Sequence, residues 1–154
     1  MDFATVWDPV AGVGDWQMTG GDLSSDAGLR TAVVLSLLSD ATLRDDDELP
    51  ASGDRGGWWG DLVLEGDRLG DRFGSRLRLL ARSLTGDQTR RRAVLICREA
   101  LAWLIEDGIA RSVDVTAEFA GDRGEQLHIA VTVNRAAPAG VARIDVLWTV
   151  EGAR

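Results

Sequence analysis

The stretch "GDQTRRRAVLICREALAWLIEDG", from Gly86 to Gly108, carries the clearest periodic signal in the chain. Asp87 is suited to cap the start of a helix, and Gly108 stands where a residue with left-handed backbone would end it. The segment therefore predicts one helix of about twenty residues, with Trp103 on or near its apolar side. The apolar residues recur at spacings of three and four, the period of a helix with one buried face: Ala93, Ile96, Cys97, Ala100, Leu101 and Leu104.

Beyond Gly108 the period changes from that of a helix to two, which is the period of half-buried strands. Two alternating runs flank a turn at Gly121 to Gly124, and a third run covers Val141 to Val150. The pattern predicts antiparallel strands over residues 111–150. The inward positions are Val113, Val115, Ala117, Phe119, Leu127, Ile129, Val131, Val133, Ile144, Val146, Trp148 and Val150. In the third run the other face carries Arg143, Asp145, Leu147 and Thr149.

Upstream of this region the sequence predicts a short hairpin and further helices. Residues 1–20 contain two short apolar runs separated by Pro and Gly, which indicates two strands joined by a turn. Ser24, Ser25 and Asp26 offer capping side chains for a helix over residues 24–39. A glycine-rich stretch then precedes a second helix from about Ser75 to Ser83, so that helices occupy residues 75–108; its inward residues are Leu77, Leu80 and Ala81. We therefore expect one α+β domain over residues 1–154, a small antiparallel sheet with two to three helices packed on it.

Composition excludes several classes of function. The formal net charge is −8, whereas a nucleic-acid binder needs a basic surface, so we expect no nucleic acid as a partner. The sequence shows no stretch of about eighteen apolar residues and no signal peptide, so we expect no membrane partner and a protein that is made in a cytoplasm and stays soluble there. All 17 basic residues are arginine, which the codon usage of a GC-rich genome would explain; the alternative is a selected role for its rigid fork, which suits carboxylates and protein interfaces.

No catalytic, metal or cofactor site is predicted. The acidic run from Arg44 to Gly53 lacks the alternating ligands of a calcium loop, and we interpret it as a solvated loop. Gly66 and Gly70 are not followed by the Gly-Lys-Ser/Thr of a phosphate-binding loop. Cys97 lies in an apolar run and is expected to be a buried hydrophobe, and no motif pairs it with His128 as a nucleophile and base.

The stretch Arg55 to Asp61, "RGGWWGD", places two adjacent indoles between glycines. Tryptophan combines a large apolar area with one N–H donor, and neighbouring side chains in a tight turn point in different directions. We hypothesise that one of Trp58 and Trp59 fills the domain core while the other anchors a partner. The alternative is that both indoles are buried.

The order of these segments resembles a known family. The chain contains, in order, an N-terminal "WDP", "GLRTAVVLSLLSD", "DDDELP", "RGGWWGD", "GSRLRLLAR", "REALAWLIEDGIARSVDV" and alternating strands. This order is similar to that of the Mu-like phage baseplate family. Its members are similar to the wedge protein, or sheath initiator, of gene twenty-five of phage T4. The resemblance covers nearly the whole chain, and the tryptophan element with "EALAWLIEDGIA" is its most specific part.

The resemblance implies a structural protein of the virion, located in the baseplate of a contractile tail and present in multiple copies around the tail axis. The implied partners are baseplate wedge proteins, tail tube or hub proteins and the sheath protein, with C-terminal strands available for strand addition by the sheath. The implied place of assembly is the host cytoplasm. The alternative for Val141 to Val150 is a strand paired only within its own sheet. The expected interface residues are Trp58, Trp59, Arg143, Asp145, Leu147, Trp148 and Thr149.

One element of the T4 relatives is missing from this chain, and two other functions are alternatives. The T4 relatives carry a Glu-Pro-Arg-like element that this chain lacks, and Arg76, Arg78 and Glu99 are the candidates for its polar contacts. A lysozyme-like hydrolase would use two carboxylates flanking a sugar cleft, drawn here from Asp54, Asp61 and Glu65. The remaining alternative is a free assembly adaptor or chaperone that holds a partner at its acidic surface and sheet edge.

Overall fold

The computed structural model describes residues 2–3, 5–8, 13–20, 22–23, 25–26, 28–49, 52–62, 72–81, 83, 86–120, 126–135 and 140–149. Its principal elements are three helices and a three-stranded antiparallel sheet, which confirms the predicted α+β class. No helix among the described residues is long and apolar enough to cross a membrane.

The N-terminal region consists of short antiparallel strand pairs. Strand β1 (Asp2–Phe3) pairs with β6 (Ser25–Asp26), β2 (Thr5–Asp8) pairs with β3 (Val13–Trp16), and β4 (Met18–Thr19) pairs with β5 (Asp22–Leu23). The β2–β3 pair is the predicted hairpin. All four residues of β3 are exposed.

Helix α1 (Leu29–Leu38) begins five residues later than the predicted range of 24–39. The expected capping by Ser25 and Asp26 is wrong, because both residues form β6 and pair with β1, and Ser24 lies outside the described residues. Gly28, with φ 85°, is the residue before the first turn, so no side-chain hydrogen bond from this position caps the helix. Ser25 and Asp26, which were predicted to cap the helix, therefore form a strand pair instead.

The predicted twenty-residue helix is divided into α2 (Asp87–Ala100) and α3 (Trp103–Glu106). The N–H of Leu101 still bonds four residues back, to Cys97, whereas the N–H of Leu104 bonds three residues back, to Leu101. This tighter turn places residues three apart above one another. Leu101 and Leu104 are both fully buried as a result.

The ends of this helical region differ in part from expectation. Asp87 is the first helical residue, and its carboxylate stabilises the helix N-terminus by interacting with the helix dipole. Gly86 precedes it in the capping position. At the other end, Gly108 has φ 69° and follows α3, as predicted for the residue that ends the helix.

The predicted helix from Ser75 to Ser83 is a short 3-10 turn over Leu77–Leu80. Ser75 is bridged to Asp40, its N–H donates to the Ser39 carbonyl at 2.8 Å, and its hydroxyl donates to the Leu37 carbonyl. These bonds fix Ser75 beside the end of α1 in an extended conformation, so a helix cannot begin there. The inward positions of Leu77 and Leu80 are confirmed, since both are buried.

The sheet contains β7 (Ala110–Ala120), β8 (Gln126–Arg135) and β9 (Val141–Thr149) in that order. Val115 pairs with Val131 and Val131 with Ile144, so that buried side chains from all three strands share one face. The predicted alternation is confirmed over these ranges. The turn predicted at residues 121–124 and the position of Val150 lie outside the described residues.

The hydrophobic core lies between the inner face of the sheet and the helices. Helices α2 and α3 pack on β7, and α1 contacts both α2 and β9. Removing such aliphatic side chains from water contributes about 1.5–3 kcal/mol each. The fully buried large residues include Val33, Leu37, Leu80, Cys97, Leu101, Leu104, Leu127, Ile129, Val131 and Val133.

Candidate functional site

Strand β9 forms one edge of the sheet, and β7 forms the other. Among the described strands, β8 is the only hydrogen-bonded neighbour of β9, over the full register from Val141 opposite Asn134 to Thr149 opposite Gln126. The far side of β9 therefore presents backbone N–H and C=O groups that no described strand pairs. Such an edge can receive a strand from another chain.

The outer face of β9 carries a small charged group. The carboxylate of Asp145 accepts a hydrogen bond from Nη2 of Arg143 at 3.3 Å, and the same oxygen lies 3.1 Å from Nε2 of His128 on β8. All three side chains are at least one-third exposed. Exposed pairs of this kind contribute at most about 1 kcal/mol each, so a partner can exchange them at little cost.

The other predicted interface residues of β9 are divided between its two faces. Trp148 is half-buried and packs against the hydrophobic core, opposite Leu127. Leu147 is half-buried on the outer face, opposite His128, and the backbone of Thr149 pairs at the end of the strand. Trp148 therefore belongs to the core side, whereas Arg143, Asp145 and Leu147 share the outer face.

The tryptophan element is held against the segment that follows α1. The N–H of Leu43 donates to the carbonyl of Arg55 at 2.8 Å. Gly57 has φ 114°, which L side chains rarely adopt, and a Cβ at this position would collide with the hydroxyl of Thr42. Glycine is thus required where the loop passes Thr42.

The two indoles form part of a small aromatic cluster. The 3-10 turn Trp59–Leu62 begins with the N–H of Asp61 donating to the carbonyl of Trp58 at 3.1 Å. The ring centroid of Trp58 lies 5.4 Å from that of Trp59 and 5.2 Å from that of Phe73, both in tilted arrangements that aromatic pairs favour. The Trp58 ring also covers Gly60, where any Cβ would collide with it.

Both tryptophans are substantially exposed, at 41 % for Trp58 and 72 % for Trp59. The alternative in which both are buried is therefore wrong. Trp58 does point toward other protein atoms, but these are the half-buried Phe73 and the buried Gly60, which lie outside the core that aliphatic side chains fill. Together with Leu62, which is 87 % exposed, Trp59 presents an apolar surface suited to a partner.

A network of ion pairs joins the acidic loop to α2. Nη1 of Arg76 donates to both carboxylate oxygens of Asp47, at 2.7 and 2.8 Å, and its Nη2 donates to Glu99 at 2.7 Å. Arg44 also pairs with Glu99. The side chains of Asp47 and Arg76 are only 7 % and 16 % exposed, so this part of the network is largely shielded from water.

Asp47 corrects the expectation of a fully solvated acidic loop. Burial raises the pKa of this carboxyl, but hydrogen bonds from Arg76 and the Arg44 N–H and the charges of both arginines outweigh burial and lower the pKa below its ordinary value of 3.8. Asp45 fits the expectation, since its carboxylate is 97 % exposed beside Arg55. Sequence reasoning missed Asp47 because its partner Arg76 lies on a different segment.

The described residues do not assemble a catalytic or metal centre. Burial raises the pKa of the Cys97 thiol to about 12, and Cys97 lies in the core whereas His128 lies on the outer face of the sheet. The carboxylate of Asp54 accepts the N–H of Gly56, and that of Asp61 accepts the N–H of Phe73. No group of three or more His, Cys, Asp or Glu able to hold a metal occurs in the described part of the chain. Glu65 lies outside the described residues.

Comparison with known proteins identifies the family. The family described as phage protein GP46 matches residues 29–140, from the first turn of α1 to the residue before β9. The chain belongs to this family of Mu-like phage baseplate proteins. It is 38 % identical to baseplate protein gp46 of Escherichia phage Mu over 133 residues, which cover 86 % of this chain and 87 % of the relative.

A second GP46 relative supports the same assignment. The Mu-like prophage FluMu protein gp46 of Haemophilus influenzae is 34 % identical over 116 residues, which cover 75 % of each chain. Membership of the GP46 family makes this chain a structural component of the phage tail, located in the baseplate of the virion, and other baseplate and tail components are its partners. The relative from phage Mu is named as a baseplate protein and not as an enzyme.

Proposed function

We propose that this protein joins the inner baseplate wedges to the tail tube and starts sheath assembly by accepting a sheath strand at the free edge of β9. The observation that carries the proposal is the single described neighbour of β9. The resemblance of the sequence to the sheath initiator of phage T4 supports the same role.

The length and chemistry of β9 favour strand addition. The strand has nine residues, all of which pair in regular register with β8, so its opposite edge is straight enough to template a further strand. Each added backbone hydrogen bond contributes about 0.5–1.5 kcal/mol. No proline interrupts β9 to protect this edge.

Side chains on the outer face of β9 can determine which strand is added and in which register. Arg143 and Asp145 would lie next to side chains of the incoming strand, and opposite charges placed there would favour one register over another. Backbone bonds thereby supply affinity, whereas these side chains supply specificity.

The tryptophan element provides the second contact in this proposal. Trp59 and Leu62 present an exposed apolar surface on a turn that is fastened by Leu43 and Phe73. A large side chain held by a rigid turn loses little conformational entropy on binding, which suits an anchor for a wedge protein. Two separate surfaces would allow one copy to contact wedge and sheath together.

Cryo-electron microscopy of the intact particle encoded by the same genome tests this role. We expect several copies arranged around the tail axis between the wedges and the first sheath ring, each with a sheath strand hydrogen-bonded to β9. A particle containing the protein with a solvent-exposed β9, or with the sheath strand on β7, would contradict the proposed edge. Purified particles that lack the protein altogether would favour an assembly adaptor.

A further inference from the structure

A cleft of about 340 Å³ lies where the loop after α1 and the Ser75 segment meet α2. Its walls carry three arginines, Arg44, Arg72 and Arg76, and one acid, Glu99. The chain as a whole has a formal charge of −8, so this concentration of arginine opposes the overall sign. A local excess of one charge inside a concave surface attracts ligands of the opposite charge.

Counted over the described residues, the ion pairs of the cleft leave one positive charge uncompensated. Asp47 pairs with Arg76, and Glu99 is shared between Arg76 and Arg44. Within the described part of the chain, no carboxylate pairs with Arg72. Among the described residues, three guanidinium groups thus face two carboxylates, which gives a net charge of +1.

Glu99 shows that the arginines of the cleft already bind one carboxylate. Its two oxygens are each bound by a different arginine, Oε1 by Arg44 and Oε2 by Arg76. Guanidinium forks match the planar geometry of a carboxylate, and such charge-assisted bonds are about twice as strong as neutral ones. The shape and donors of the cleft therefore suit a second carboxylate beside the one supplied by the chain.

We propose that the cleft binds one carboxylate from an acidic side chain of a neighbouring baseplate protein, with Arg72 and Arg44 as its donors. A single carboxylate neutralises the remaining charge, whereas a phosphate dianion would leave the site negative. Thr42 and Ser75 also line the cleft. This site is separate from the β9 edge, so it does not depend on sheath initiation.

Nuclear magnetic resonance of the full-length, ¹⁵N-labelled protein tests the site through the arginine Nε–H signals. The probes are the peptide acetyl-Gly-Glu-Gly-amide and its Gln counterpart, which differ by one carboxylate. We expect the Glu peptide to shift the Arg72 and Arg44 signals to saturation and the Gln peptide to leave them unchanged. Equal shifts from both peptides, or shifts that do not saturate, would overturn the proposal.

Two variants locate the binding. Arg72→Gln should weaken binding of the Glu peptide by about five-fold, the loss expected for one partly exposed ion pair. Arg111→Gln, on the exposed side of β7, should leave the affinity unchanged. Equal weakening by both variants would indicate unspecific attraction and refute the site. Inorganic phosphate is titrated separately, and phosphate binding tighter than that of the Glu peptide would also refute a carboxylate site.

Glu99→Gln provides a test that does not depend on losing a contact. Because this change removes the internal competitor for Arg44 and raises the charge of the cleft, the Glu peptide should bind several-fold more tightly. Asp47 still holds Arg76 in this variant, and amide signals elsewhere report whether the fold is intact. Weaker binding in a folded Glu99→Gln protein would contradict the assignment of donors.

Discussion

Trp103 on α3 donates its indole N–H to the hydroxyl of Ser36 on α1, with 3.2 Å between Nε1 and Oγ. Ser36 is only 2 % exposed, and the two residues lie 67 positions apart in the chain. The bond therefore joins the first helix to the short helix that follows the break at Leu101. It also explains how a half-buried tryptophan and a buried serine satisfy their polar atoms beside the core.

Ser36→Ala should destabilise the protein by about 1–3 kcal/mol, because it leaves the Trp103 N–H without its partner. Trp103→Phe removes the donor as well, so the double variant should be less destabilised than the sum of the two single changes. Urea unfolding of the four proteins measures this coupling. Strictly additive effects would show that the hydrogen bond does not contribute to stability.

Asp47→Asn should destabilise the protein at neutral pH by about 1–3 kcal/mol, because the Arg76 guanidinium loses one of its two charged partners. The pKa of Asp47 in the folded protein lies below its ordinary value of 3.8. Its contribution is therefore complete above that pH and is lost as the pH falls through the lower, folded-state pKa.

Urea unfolding from neutral to acidic pH measures this effect, and the difference between wild type and Asp47→Asn should shrink below about pH 4. Asp46→Asn is the matched control, since Asp46 is an exposed neighbour in the same loop. A difference that stays constant into the acid range would contradict the role assigned to the Asp47 charge.

Periodicity was sufficient to predict the sheet and the main helical region. In β8 the alternation from Leu127 to Val133 matches the buried and half-buried positions one by one, because a strand with one core face has a single consistent register. The same reasoning placed Ala93, Ile96 and Cys97 inside. Spacing did not reveal the division at Leu101, since residues three apart share a side in both α-helical and 3-10 turns.

The remaining features depend on contacts between distant segments. Nothing near Asp47 in the sequence indicates that Arg76 will enclose its carboxylate, and nothing near Ser75 indicates that Asp40 will hold it in an extended form. The exposure of Trp59 was likewise undetermined, because a glycine-flanked indole fits either a core or a surface. The interface roles of these residues and of Arg143, Asp145, Leu147, Trp148 and Thr149 stay predictions.

Asp145→Ala should leave stability within about 1 kcal/mol of wild type, because its pairs with Arg143 and His128 are exposed. If β9 receives the sheath strand, the same variant should lower the number of sheathed particles, since Asp145 lies beside the added strand. Asp114→Ala is the matched control, as Asp114 is an exposed acid on β7, at the other edge. Particle counts by electron microscopy that fall equally in both variants would contradict a specific role of β9.

Cys97 should not react with a thiol reagent in the folded protein, because its side chain is fully buried and burial raises its thiol pKa to about 12. Modification at pH 8 should become rapid only in guanidinium chloride. Labelling over a denaturant series should follow the global unfolding transition measured by tryptophan fluorescence. Rapid labelling in the absence of denaturant would show that α2 opens locally and would contradict the packing described.

Trp58 and Trp59 should differ in what their removal changes. Trp58→Ala removes the ring that packs on Phe73 and covers Gly60, so it should lower stability by about 1 kcal/mol or more. Trp59→Ala removes a side chain that is 72 % exposed, so Tm should remain nearly unchanged while incorporation into particles falls. Leu95→Ala is the control, since Leu95 is 65 % exposed on α2 and should affect neither property. Equal destabilisation by the two tryptophan variants, or full incorporation of Trp59→Ala into particles, would refute the division between a packing residue and a partner anchor.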